Sequence, residues 1–153
     1  MPLPFLPQVP DEQLFQTVNL VIPCWIMLAI FPNNKMTKLL VILSSLFFCA
    51  LYASLLIPMI MDGGVDFKDF MSLQGVAKAF STYRVVLPSW VHFCVFDLWV
   101  GQYIADDAWK RNVPRILTAP MLFLNMMAGP VGLGTYLLVR APLSSVFSKP
   151  KRA

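Results

Sequence analysis

Three side chains stand where hydrocarbon tolerates them poorly. His92, Asp97 and Asn125 lie inside two long apolar segments that run from Trp90 to Arg140, WVHFCVFDLWVGQYIADDAWKRNVPRILTAPMLFLNMMAGPVGLGTYLLVR. An ionisable group at mid-membrane depth costs roughly 2.5–3.5 kcal/mol on insertion scales, so it marks a site by default. Carboxyl and imidazole are also the groups that most often move protons in catalysis. Any chemistry in this chain centres on this stretch.

The elements that must position these residues are membrane spans. Of 153 residues, 58% are hydrophobic and 13% charged, and the mean hydropathy is +0.66. A water-soluble domain of this length needs far more charge on its surface. The apolar residues fall in blocks close to the ~20 residues of helix that cross a bilayer, and open sheet edges cannot sit in lipid. The expected fold is all-α: one integral membrane domain, a bundle of four transmembrane helices over 13–139. An irregular proline-rich segment (1–12) precedes it and a disordered basic tail (140–153) follows. Residues 1–12 lack the basic start of a secretory signal and the Arg/Ser bias of a transit peptide.

The spans fall at about 13–31, 39–61, 86–105 and 115–139, with breaks at 31–38, 62–84 and 106–114. In the first, Pro23 should kink the helix and Trp25 should pack inside. The second carries no acidic or basic side chain and reads as a packing element. Within the 62–84 connection, Phe67, Phe70, Met71 and Leu73 mixed with charges suggest a short helix on the membrane surface, or an ordinary capping loop. The third places His92, Phe96, Trp99 and Tyr103 on one aromatic stripe, with Asp97 about 140° around the helix from His92 at ~100° per residue. The fourth shows Thr118, Leu122, Asn125, Gly129, Gly132 and Tyr136 at helical spacing, a polar and small-residue face that meets a helix or a ligand rather than lipid. Pro120 and the Gly129-Pro130 step should bend it. Asp97 and Asn125 both lie about 14 Å from the loop that joins their helices, at ~1.5 Å per residue, so they can pair. Asn19 and His92 match in depth by the same count.

The net charge of +4 resides in loops and tail. No basic face is interleaved with aromatics, so the partners are membrane lipid and not nucleic acid. Seven Lys/Arg lie on the side of the amino terminus and five on the other, while Lys35 and Lys38 after the first span argue for the opposite orientation. Cys24, Cys49 and Cys94 fall in different spans with no metal-like spacing, and the single histidine lacks a second ligand at suitable spacing. No metal is expected.

The run Asn19-x-x-x-Pro23-x-Trp25 is followed by WVHFCVFDLWVG (Trp90 to Gly101), by Asp107-Ala108-x-x-Arg111-x-x-Pro114, and by GPVGL (Gly129 to Leu133). In this order and spacing the chain resembles the abscisic-acid-deficient-four-like (neoxanthin synthase-like) family of small four-helix membrane proteins. Plant members of that family are plastid proteins needed to make neoxanthin from violaxanthin. The likeness covers nearly the whole chain and departs at Gln102, where the family pattern often has arginine.

The resemblance implies a cofactor-free isomerase that turns a 5,6-epoxide into an allene and a tertiary alcohol. That reaction needs one acid for the epoxide oxygen and one base for the neighbouring chain hydrogen. The implied catalytic residues are Asp97 as acid and His92 as base. Asn19, Trp90, Phe96, Trp99, Asn125 and Gly129 would lie about a carotenoid or other rod-like apolar ligand. The implied location is a plastid or thylakoid membrane in a photosynthetic host, otherwise a bacterial inner membrane. A second reading is non-enzymatic: a pigment-holding or assembly subunit of a larger membrane complex, or a small transporter. In it Asp97 and Asn125 are interhelical glue, His92 bonds Asn19 or interfacial water, and the aromatic stripe is core packing.

Overall fold

Two helix stops in this chain are set by residues that accept a left-handed backbone, Gly63 and Asn112. The structure, a computed structural model, describes residues 10–64 and 66–147. Helix α1 (Asp11–Ile30) is followed by α2 (Lys35–Met61), and α2 ends at Gly63, whose φ is +66°. There the Gly64 N–H donates to the Met59 carbonyl at 3.0 Å and the Gly63 N–H to Ile60 at 3.1 Å, closing the last turn in a Schellman arrangement. After α3 (Leu73–Ala79), helix α4 (Tyr83–Lys110) ends in the same way at Asn112, φ +58°. The Val113 N–H reaches Ala108 at 3.0 Å and the Asn112 N–H reaches Trp109 at 3.1 Å. Helix α5 (Arg115–Phe147) follows. Among the described residues there is no strand.

Among the described residues, four of the five helices, all but α3, are long and apolar enough to cross a membrane. Ile22, Ile26, Leu43 and Leu46 are among the large apolar residues exposed along them.

Pro23 has the expected local effect. Its ring clashes with the carbonyl four residues back and it lacks an N–H, and a 3-10 turn at Val18–Val21 interrupts α1 just before it. Trp25 is buried, as expected. In α5 the backbone leaves helical geometry at Ala128 (φ −149°, ψ 60°), next to the Gly129-Pro130 step.

Helix α1 begins at Asp11, α2 at Lys35 and α4 at Tyr83, two to four residues before the expected spans, and three further differences bear on the site. Helix α4 continues through Lys110, so the joining loop is 111–114 rather than 106–114. Helix α5 runs on to Phe147, eight residues past the expected limit, and carries Pro142 within it. In the 62–84 connection the aromatics Phe67 and Phe70 lie on a 3-10 turn, Phe67–Met71, capped by the Asp66 side chain; helix α3 begins only afterwards, capped by Ser72. The expected irregular start and basic tail fall for the rest on residues 1–9 and 148–153, outside the described residues.

The chain divides into two compact units, residues 10–19 with 46–95 and residues 20–45 with 96–147. Phe48 and Val91 are fully buried in the first; Cys24, Leu28, Leu98, Ile104 and Tyr136 are fully buried in the second. In the second unit the later part of α1 packs on α5.

The stop at Asn112 gives a direct test. An L-residue with a β-branched side chain pays about 1–2 kcal/mol for a left-handed backbone, and glycine pays none. Asn112→Val should lower the thermal stability of the detergent-solubilised protein by about that amount, and Asn112→Gly should leave it within about 0.5 kcal/mol of the parent. Equal melting of the two variants would show that the helix does not end on this geometry.

Candidate functional site

The first unit contains a pocket of about 540 Å³, within the range of small-molecule sites. Helix α2 supplies Tyr52, Leu56, Met59 and Ile60; the connection supplies Phe67, Phe70 and Phe80; α4 supplies Val85, Pro88, Ser89, His92 and Phe93. The wall is almost wholly apolar. His92, Tyr52 and Ser89 are the exceptions, and the Ser89 hydroxyl already donates to the Val85 carbonyl at 2.8 Å. The rings of His92 and Tyr52 have centroids 5.8 Å apart, inclined at 52°, and Phe93 stands edge-on to His92 at 6.1 Å. An imidazole and a phenol therefore share one apolar pocket.

Tyr52 was not among the residues that sequence reasoning selected. It is the one phenol in a span that otherwise reads as packing, and that lone polar ring was the signal available. Phe67 and Phe70 come from the connection.

In the second unit Asp97 lies with Asn125 and Gly129. Asn125 is fully buried, and its side-chain amide donates to the Asp97 backbone carbonyl at 2.8 Å. The expected pair thus forms, but through the main chain of Asp97 rather than its carboxylate. The carboxylate lies against Gly129, so close that a Cβ at 129 would collide with Oδ1. Asn125 Oδ1 is buried without a hydrogen-bond partner among the described residues. All six residues of the expected α5 stripe, Thr118, Leu122, Asn125, Gly129, Gly132 and Tyr136, are the buried residues of that helix.

The remaining candidates are placed elsewhere. Asn19 is exposed and its amide donates to Gln16 at 3.1 Å, not to His92. Trp90 is half-exposed and packs near Phe15, ring centroids 6.2 Å apart, in the first unit. Phe96, Trp99 and Tyr103 are exposed, so the aromatic stripe is not core. Asp107, within the expected 106–114 break, lies on α4 instead and pairs with Arg111 at 2.8 Å. It also accepts from the fully buried Tyr136 hydroxyl at 2.7 Å.

Among the described residues no cluster of His, Cys, Asp or Glu is suited to hold a metal, and the three cysteines are free thiols.

Residues 13–136 match the family model described as ABA DEFICIENT 4-like. No curated protein and no solved structure matches the chain.

The contact of Gly129 with Asp97 is open to a double-mutant cycle. Gly129→Ala should destabilise the protein by about 1–3 kcal/mol through overpacking. Asp97→Ala in the same chain should recover most of that loss, a coupling of about 0.5–3 kcal/mol. Strictly additive effects in thermal unfolding would place the carboxylate away from Gly129.

Proposed function

We propose a function from the premise that the chain belongs to the ABA DEFICIENT 4-like family: it is an integral membrane isomerase that converts an epoxy-xanthophyll of the violaxanthin kind into an allenic one of the neoxanthin kind. The observation that carries this reading is the His92–Tyr52 pair in an otherwise apolar pocket of about 540 Å³. A pocket of this size and lining suits the methylated ring end of a xanthophyll and the first part of its chain.

The proton balance closes without an external reactant. His92 removes the hydrogen from the chain carbon next to the epoxide. The electron pair of that C–H bond forms the new double bond of the allene, and the epoxide C–O bond breaks. The Tyr52 phenol gives its proton to the departing oxygen, which becomes the tertiary alcohol. Proton return from imidazolium to phenolate restores both groups. Apolar walls keep water from competing for the opening epoxide. In this reading Asp97 is a packing residue at the break of α5 rather than the acid. The membrane is the one that holds the xanthophyll: plastid or thylakoid in a photosynthetic host, bacterial inner membrane otherwise.

Cells supplied with violaxanthin and expressing the protein should accumulate the allenic product. His92→Phe and Tyr52→Phe should each lower its formation at least about a hundredfold, the contribution of a general acid or base, while protein levels in the membrane stay near normal. Asp97→Asn should retain most activity. Loss with Asp97→Asn and retention with Tyr52→Phe would return the acid role to Asp97. If the unmutated protein yields bound pigment on extraction but no allene, the pigment-holding reading replaces the isomerase.

A further inference from the structure

The second unit carries a smaller pocket, about 260 Å³, lined by Phe31, Asn33, Asn34, Trp109 and Arg115. It is built from the α1–α2 loop, the end of α4 and the start of α5. These are ends of the four helices suited to crossing a membrane, the level at which tryptophan and basic residues meet lipid head groups.

Its electrostatics are one-sided. No lining residue is acidic. The two nearby carboxylates are engaged: Asp106 with Lys38 at 3.0 Å, and Asp107 with Arg111 at 2.8 Å and Arg140 at 3.4 Å. Arg115 has no carboxylate partner among the described residues. Its guanidinium carbon lies 5.7 Å from the centroid of the Trp109 ring, a cation–π contact that occupies one face and leaves the N–H edge available. Arg115 also opens α5, where the helix dipole adds to its charge instead of offsetting it. The Asn34 carbonyl oxygen is used on the Met36 N–H at 2.8 Å, so what its side chain still presents is the donor end. The pocket therefore offers a planar cation and amide donors, beside the apolar rings of Phe31 and Trp109.

We infer that this pocket binds the phosphate of an anionic phospholipid, with Arg115 engaging the phosphate oxygens and Phe31 and Trp109 flanking the start of the lipid tails. Phosphate is the matching chemistry: it accepts hydrogen bonds only, and a guanidinium edge meets two of its oxygens at once. Lipid is the favoured source over free phosphate because the site combines those donors with exposed apolar rings at the end of apolar helices. The inference rests on the membrane reading of these helices and not on the isomerase reading.

The test uses the full chain purified in detergent and transferred to phosphatidylcholine nanodiscs containing a graded fraction of phosphatidylglycerol, with retained lipid counted by native mass spectrometry. The parent protein should retain phosphatidylglycerol in preference to phosphatidylcholine. Arg115→Gln should weaken that retention at least about fivefold, the scale of one basic residue at an anionic membrane surface. Lys110→Gln, which removes an exposed charge outside the pocket, should change it clearly less than Arg115→Gln does, because it breaks no bidentate contact with the phosphate. Circular dichroism and a single monodisperse peak confirm that both variants are folded. Equal loss in the two variants, or no preference for phosphatidylglycerol in the parent, overturns the site. Inorganic phosphate that binds in an Arg115-dependent way without any lipid preference assigns the pocket to soluble phosphate and overturns the lipid assignment. Because neither readout involves xanthophyll, failure here leaves the isomerase reading untouched, and failure there leaves this one.

Discussion

A backbone N–H or C=O in hydrocarbon has no water to turn to, and the second unit is arranged around that constraint. Helix α5 carries Pro120, Pro130 and Pro142, each without an N–H, and at Ala128 its backbone leaves the helix altogether. Such a break persists in a membrane helix only where a neighbouring element covers it. Helix α4 does so: Asn125, three residues before the break, is tied to the Asp97 carbonyl at 2.8 Å, and Gly129, just after it, leaves space for the Asp97 carboxylate. The buried positions 118, 122, 125, 129, 132 and 136 alternate in steps of four and three across the break. The kink therefore does not shift the face that α5 presents to its partners.

Charge near the ends of α4 and α5 is handled by concentration on one carboxylate. Asp107 accepts from Arg111, from Tyr136 and, at 3.4 Å, from Arg140, and Arg140 also donates to the Tyr103 hydroxyl at 2.7 Å. Tyr136 is fully buried, and a buried phenol requires an acceptor; Asp107 supplies it. The hydrogen bond and charge of Asp107 hold the Arg111 guanidinium above its ordinary range. An isolated pair at the surface contributes little, but three donors joined through one carboxylate fix α4 against α5 in a way that a solvated loop does not. This also accounts for helices that outlast their apolar segments. Asp106 and Asp107 are satisfied by side chains, so the α4 backbone has no reason to unwind at Asp106.

What the sequence revealed and what it concealed follow from the range of the interactions. The α5 stripe was legible because burial in a membrane helix selects small and polar residues at helical spacing, and that pattern is local. The Asp97–Asn125 pairing followed from counting residues along two helices joined by a short loop. The break at Gly129-Pro130 is written in the residues themselves. The pocket was not legible, because it brings Tyr52, Phe67, Phe70, Phe80 and His92 together from three separate stretches, and no period along the chain encodes that meeting. The aromatic stripe misled for a related reason. Spacing establishes that Phe96, Trp99 and Tyr103 share a face, and says nothing of where the face points; in hydrocarbon an apolar ring is as comfortable outside as inside.

The first unit divides its pocket wall unequally. Helices α2 and α4 contribute Tyr52 and His92 from long, continuous elements, with Phe48 and Val91 fully buried nearby in sequence. The connection contributes Phe67, Phe70 and Phe80, which are 66%, 45% and 40% exposed, from a segment whose only buried residue among the described residues between Gly64 and Tyr83 is Gly75. Elements with few buried contacts open at the least free-energy cost. Of the walls around His92 and Tyr52, the connection is therefore the one that yields at the least cost. On the proposed isomerase reading, the two groups that would move protons, His92 and Tyr52, stand on the long helices, and the rings that would only cover a ligand stand on the connection.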